Sequence, residues 1–110
     1  MLNIAIVGAG IAGLGAARSL QDQGHRVTVF EKSRGVGGRA ATRRIGDLGF
    51  DHGAQYFTAR DPVFHRHVQA WLESGVVKAW PASIGRLVNG EILASPDSTE
   101  RFVATPGMNA

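Results

Sequence analysis

The sequence predicts an α/β fold built on a parallel βαβ unit. Three observations lead there. Leu2–Val7 is an apolar, β-branched run; Gly8, Gly10 and Gly13 follow it with G-x-G-x-x-G spacing; and a helical pattern then leads to a second short apolar run that closes on Glu31. A chain of 110 residues makes at most one ordinary domain. Its composition, 44% apolar and 19% charged, suits a packed core rather than disorder.

Each element can be justified in order. Leu2–Val7 is nearly all apolar and is expected as a fully buried parallel strand. Ile11–Gln23 reads as a helix whose inner face carries Ile11, Leu14, Ala17 and Leu20, with Gly24 suited to the left-handed position after it. Arg26–Glu31 is the second strand and completes a right-handed βαβ unit. Lys32–Ala41 is a glycine-rich loop, and Thr42–Ile45 with Leu48–Asp51 form a hairpin turning at Gly46-Asp47. Asp61-Pro62 supplies an N-cap and a first-turn proline for a helix reaching about Ser74, with Phe64, Val68, Trp71 and Leu72 inward and Gly75 at its end. Val76–Trp80 is expected as a strand. Ile84–Val88 and Glu91–Ala94 form a hairpin through a type I′ turn at Asn89-Gly90, and Arg101–Thr105 is a last strand.

A dinucleotide-binding sheet needs more than two parallel strands and cover on both faces. The second half of the chain offers one helix and several β segments instead. Residues 1–110 are therefore expected to be the N-terminal part of a dinucleotide-binding domain in a larger enzyme, incomplete without further C-terminal sequence, with the substrate domain elsewhere.

The glycines have separate mechanical roles. Gly8 permits the tight turn out of the strand, Gly10 lets a pyrophosphate approach the backbone, and Gly13 lets helix and strand pack closely. The phosphates then meet free N–H groups and the positive end of the helix dipole, with backbone from Ala9, Ile11 and Ala12 beside them. Glu31 stands where a carboxylate accepts bonds from ribose hydroxyls, about twenty residues on; its plainer alternative is an exposed charge at a strand end. A carboxylate there repels a 2′-phosphate, which argues against NADP as the resident cofactor.

Other classes find less support. The chain has no cysteine, so it holds no disulfide or thiolate metal site, and a reducing compartment fits. No apolar run reaches the roughly 18 residues of a membrane span and no basic leader precedes the first strand, so a cytoplasmic location without membrane association is expected. The net charge is +3, and Arg34, Arg39, Arg43 and Arg44 crowd one short segment. A phosphate-bearing ligand or a solvated loop explains that cluster better than nucleic acid, because no aromatic residues interleave it. His25, His65 and His67 have no metal-ligand spacing, and Trp71 and Trp80 read as core rather than as an aromatic cage. No metal site is expected, and no catalytic side chain can be named.

The segment Glu31-Lys32-Ser33-Arg34-Gly35-Val36-Gly37-Gly38-Arg39 adds a second glycine cluster and an arginine just past the acid. It resembles the second dinucleotide-binding motif of glutathione-reductase-type FAD proteins, above all the flavin-containing amine oxidase branch. Asp51-His52-Gly53-Ala54-Gln55-Tyr56-Phe57 and Thr105-Pro106-Gly107-Met108 extend the resemblance toward renalase-type proteins and their bacterial relatives. The resemblance implies FAD as cofactor. It puts Gly8, Ala9, Gly10, Ile11, Ala12 and Gly13 at the pyrophosphate and Glu31 at the ribose with Lys32 beside it. Gly37, Gly38 and Arg39 fall at the phosphates or ribityl chain, and Gln55, Tyr56 and Phe57 near the flavin ring. A solvated loop position is the alternative for Arg39, and core packing the alternative for Tyr56-Phe57. His52 reads as a structural histidine rather than a point of flavin attachment.

The function so implied is that of an FAD-dependent oxidase. The renalase-type resemblance points to isomeric dihydronicotinamide forms of NAD(P)H as substrates with oxygen as acceptor, and the wider family to amines. An NAD-dependent dehydrogenase is a further reading, though it has no use for the Gly35–Arg39 loop. A non-catalytic nucleotide-binding module is another.

Overall fold

The computed structural model describes residues 1–95 and 99–110. Its elements are β1 (Asn3–Val7), α1 (Ile11–Asp22), β2 (Arg26–Phe30), a 3-10 turn (Gly38–Ala40), β3 (Arg43–Ile45), β4 (Leu48–Phe50), α2 (Pro62–Ser74), β5 (Val77–Ala79), β6 (Gly85–Val88), β7 (Glu91–Ala94) and β8 (Phe102–Ala104). The fold is α/β, with a Rossmann-like βαβ unit and added hairpins and a helix. Two compact units divide the chain: residues 1–55 with 107–109, and residues 56–106 with Ala110.

In the first unit β1 and β2 pair in parallel, Asn3 opposite Arg26 through Val7 opposite Phe30. Alternate residues Ile4, Ile6, Val27 and Val29 are partly covered, as expected for strands with one protected face. The expectation of a fully buried strand at Leu2–Val7 is corrected here, because Val7 is 89% exposed and Phe30 56%. Helix α1 covers one face of the pair, and side chains of opposite parity stand on the other.

The inner stripe of α1 is also narrower than expected. Ala17 is buried and Gly13 and Leu20 are partly buried, whereas Ile11 and Leu14 are exposed. At 3.6 residues per turn, Gly13, Ala17 and Leu20 follow the i, i+4, i+7 rhythm, while Ile11 lies about 120° around the helix from Ala17. The hairpin β3–β4 pairs Arg43 with Phe50 and Ile45 with Leu48, as its sequence predicts.

The second unit is organised by α2 on the antiparallel pair β5–β8, Val77 opposite Ala104 and Ala79 opposite Phe102. Asp61 caps the helix by accepting the Phe64 N–H at 2.9 Å, Pro62 occupies the first turn, and Gly75 ends it. Val68, Val77 and Phe102 form the buried core, with Phe57, Ala59, Phe64, Leu72 and Ala104 packed around them. Trp71, expected inward, is 40% exposed and meets Phe64 edge-on at 6.0 Å. The hairpin β6–β7 turns at Asn89 and Gly90, both at positive φ, as a type I′ turn requires.

Candidate functional site

The candidate site is assembled at the β1–α1 junction. Gly8 leaves the strand at φ +103°, a conformation that side chains resist, while its N–H donates to the Phe30 carbonyl at 2.7 Å. A Cβ on Gly13 would collide with the Gly8 carbonyl oxygen, so this glycine is demanded by the close crossing of helix and loop. Gly10 is different. Its φ is −77°, open to any residue, and a Cβ built on it finds no atom within 4 Å. The fold itself gives no reason for glycine there, and the space above that backbone is free.

Helix α1 begins in the same place. Its first intrahelical bond runs from the Leu14 N–H to the Gly10 carbonyl at 2.9 Å, so the N–H groups of Ile11, Ala12 and Gly13 precede the ladder. No side chain caps this terminus and no acidic residue lies in its first turn. Helix α2, by contrast, is capped by its own Asp61. An uncapped helix end beside an empty notch is suited to an anion.

Glu31 faces this loop. Its Oε2 accepts the Ala9 N–H at 2.8 Å and its Oε1 accepts the Ser33 N–H at 3.2 Å. These backbone bonds, Ala9 first, hold its carboxyl below the ordinary range by stabilising the charged form. A carboxylate offers about four acceptor positions, and these two bonds take one on each oxygen.

The second glycine cluster is laid directly on the first. The Gly37 N–H donates to the Ala9 carbonyl at 2.8 Å, Gly10 and Gly37 form an isolated parallel bridge, and a Cβ on Gly38 would stand 3.3 Å from the Gly10 Cα. Gly37, at φ +112°, is buried. Thus Gly8, Ala9, Gly10, Glu31, Gly37 and Gly38 come together in one unit. Lys32 and Arg39 are exposed, and the Arg39 carbonyl accepts the Ala54 N–H at 2.9 Å.

The remaining candidates stand otherwise. Gln55 is exposed at the end of the first unit. Tyr56 and Phe57 belong to the second. There the Tyr56 ring lies 5.6 Å from Trp80 and under the Arg101 guanidinium, and Phe57 packs on Phe64 and Phe102 at 6.0 and 5.7 Å. Among the described residues no group of His, Asp and Glu could hold a metal, and no helix is long and apolar enough to cross a membrane.

One part of the site was missed by sequence reasoning. Asp51 Oδ1 accepts both the Thr42 hydroxyl at 2.6 Å and the Met108 N–H at 2.9 Å, tying the turn at 107–109 to the base of the β3–β4 hairpin. Asp51 and Met108 are 57 residues apart, and no local pattern signals such a contact.

Several known proteins are similar to this chain. An L-amino-acid oxidase from Siganus canaliculatus is 45% identical over 64 residues, covering 56% of this chain and 12% of that protein. A triple mutant of putrescine oxidase superposes with a TM-score of 0.61 at 29% identity, over 87% of this chain and 22% of that one. Cyclohexylamine oxidase from Brevibacterium oxydans gives 0.59 at 32% identity, over 88% and 22%. The chain therefore spans a minor fraction of the length of each of these proteins. The model of the NAD(P)-binding Rossmann-like domain family matches residues 6–73, more than half of the chain, and the chain belongs to that family.

Proposed function

We propose that residues 1–110 hold the ADP half of FAD and form the N-terminal part of a flavin-dependent oxidoreductase. The observation that carries this reading is Gly10, a glycine that neither backbone conformation nor crowding requires, beside an uncapped helix terminus. The pyrophosphate is received by the Gly8–Gly13 loop and the N–H groups of Ile11, Ala12 and Gly13. Glu31 holds the adenosine ribose through its unused acceptor positions, and Lys32 flanks it. Gly37, Gly38 and Arg39 adjoin the phosphates from the other side; the bridge between Gly10 and Gly37 supports a single cradle made of both loops. Gln55, Tyr56 and Phe57 are the proposed neighbours of the flavin ring, although the Phe57 side chain is largely engaged by the core of its own unit.

When bound, FAD supplies the two-electron redox chemistry, and the protein positions and insulates it. The bare face of β1–β2 supports a larger domain in which further sequence covers the sheet and builds the substrate cavity. Amines or amino acids are the proposed substrate class, supported by relatives named for amino-acid, putrescine and cyclohexylamine oxidation. Isomeric dihydronicotinamides are the competing class, and they rest on the Asp51–Phe57 and Thr105–Met108 resemblance alone.

Identification of the ligand released by heat from the full-length protein tests this reading. Release of FAD, with a flavin absorption band before denaturation, is expected. A colourless protein that releases NAD would overturn it in favour of a dehydrogenase.

A further inference from the structure

The hairpin β3–β4 stands outside the cradle, yet its base is wired to it. Its register pairs Arg43 with Phe50, Arg44 with Gly49 and Ile45 with Leu48. The next pair outward is Thr42 opposite Asp51, which is where the 2.6 Å hydroxyl-to-carboxylate bond forms. The same carboxylate oxygen accepts the Met108 N–H at 2.9 Å, and the Thr42 hydroxyl oxygen accepts the Asn109 N–H at 3.4 Å. A Cβ on Gly107 would stand 2.8 Å from that hydroxyl, so the turn lies close against the hairpin base. Asn109 then reaches the second glycine cluster. Its Nδ2 donates to the Val36 carbonyl at 3.5 Å, and its Cβ is 2.9 Å from where a Cβ on Gly37 would be. Gly37 donates to Ala9. A continuous path of contacts thus runs from Asp51 through residues 108–109 and 36–37 to Ala9 and Gly10.

We propose that Asp51 is a positioning residue for the phosphate half of the cradle. It acts by seating the Met108-Asn109 turn behind Gly37, which presses Gly37-Gly38 onto Ala9-Gly10. The inference rests on the dinucleotide reading above and adds to it a residue that touches no ligand. Glu31 is held by the Ser33 N–H, outside this path, as well as by the Ala9 N–H, so the ribose end keeps an anchor that does not run through Asp51. Loss of the Asp51 carboxylate therefore weakens ligands that carry a diphosphate and spares those that end at the ribose.

The test measures binding of ADP and of adenosine to the 110-residue chain by NMR titration, with circular dichroism to confirm folding. Asp51→Ala is expected to lower ADP affinity by about tenfold, as for a lost, partly buried hydrogen-bond hub, and to leave adenosine affinity unchanged. Asp51→Asn keeps an oxygen acceptor for both donors and is expected to restore ADP binding. Where Asp51→Ala fails to fold, Thr42→Val removes both hydroxyl bonds, to Asp51 and from the Asn109 N–H, keeps the Asp51–Met108 bond, and is expected to give a smaller loss with the same selectivity. Equal losses for ADP and adenosine, or no loss for either, would overturn the positioning role while leaving the dinucleotide reading intact. Absence of ADP binding by the unaltered chain would instead remove that reading, and this inference with it.

Discussion

Glu31 and Ala9 are joined by a 2.8 Å hydrogen bond in which the glycine-loop N–H donates to the carboxylate Oε2 across 22 residues of sequence. The end of β2 is thereby fastened to the turn out of β1, and the acid is held at the edge of the notch above Gly10. The same carboxylate also accepts the Ser33 N–H through its other oxygen, so it shapes the chain on both sides of it.

That bond has a pH signature. The N–H groups of Ala9 and Ser33 lower the Glu31 pKa from its ordinary 4.5. A depressed carboxylate stabilises the fold fully above its unfolded pKa, and this contribution is lost as pH falls through the folded value. The difference in melting temperature between the unaltered chain and Glu31→Gln is therefore expected to be largest above pH 4.5 and to shrink in more acidic buffer. A difference that stayed constant over that range would contradict the assignment.

The glycines at 10 and 13 are expected to fail in opposite ways. Gly13→Ala drives a Cβ into the Gly8 carbonyl and should cost about 1–3 kcal/mol of stability, measured by denaturant unfolding. The Cβ of Gly10→Val meets no protein atom within 4 Å, and the change should cost about 1 kcal/mol or less, the scale of an N-cap change. Its effect should fall on the ligand, with ADP affinity reduced by tenfold or more because the side chain fills the notch.

Asp61→Ala removes the cap of α2, leaving the Phe64 N–H without its 2.9 Å partner. A loss of about 1 kcal/mol is expected in thermal unfolding. ADP affinity should be unchanged, since Asp61 belongs to the other compact unit.

The isolated chain is expected to produce no hydrogen peroxide with amines or with reduced nicotinamides. It corresponds to 22% of the putrescine oxidase chain it resembles, and a cradle for ADP does not enclose a flavin ring. Peroxide formation above a buffer control, measured by a coupled peroxidase assay, would contradict the proposed division of the enzyme.

The sequence disclosed the parts of the site that short-range chemistry dictates. Gly8, Gly10, Gly13 and Glu31 follow a spacing tied to a strand–turn–helix, and Asp61-Pro62 and Asn89-Gly90 carry their backbone preferences with them. It did not disclose that Gly37 would bond Ala9, or that Asp51 would collect Thr42 and Met108, because such contacts depend on how separate loops meet. Val7 shows another limit. An apolar, β-branched run fits a strand buried on both faces, but burial depends on what covers the second face, and α1 covers one. Phe57 shows a third: its place beside Phe102 comes from the bridge between those two residues, which no local periodicity encodes.

The most direct measurement of the central claim is an amide NMR titration of this chain with ADP. Saturable shifts are expected at Gly8–Gly13, Glu31 and Gly37-Gly38, with the core of the second unit around Val68 and Phe102 unmoved. Saturable binding whose shifts spare Gly10 and the first turn of α1, or no binding at all, would contradict the account.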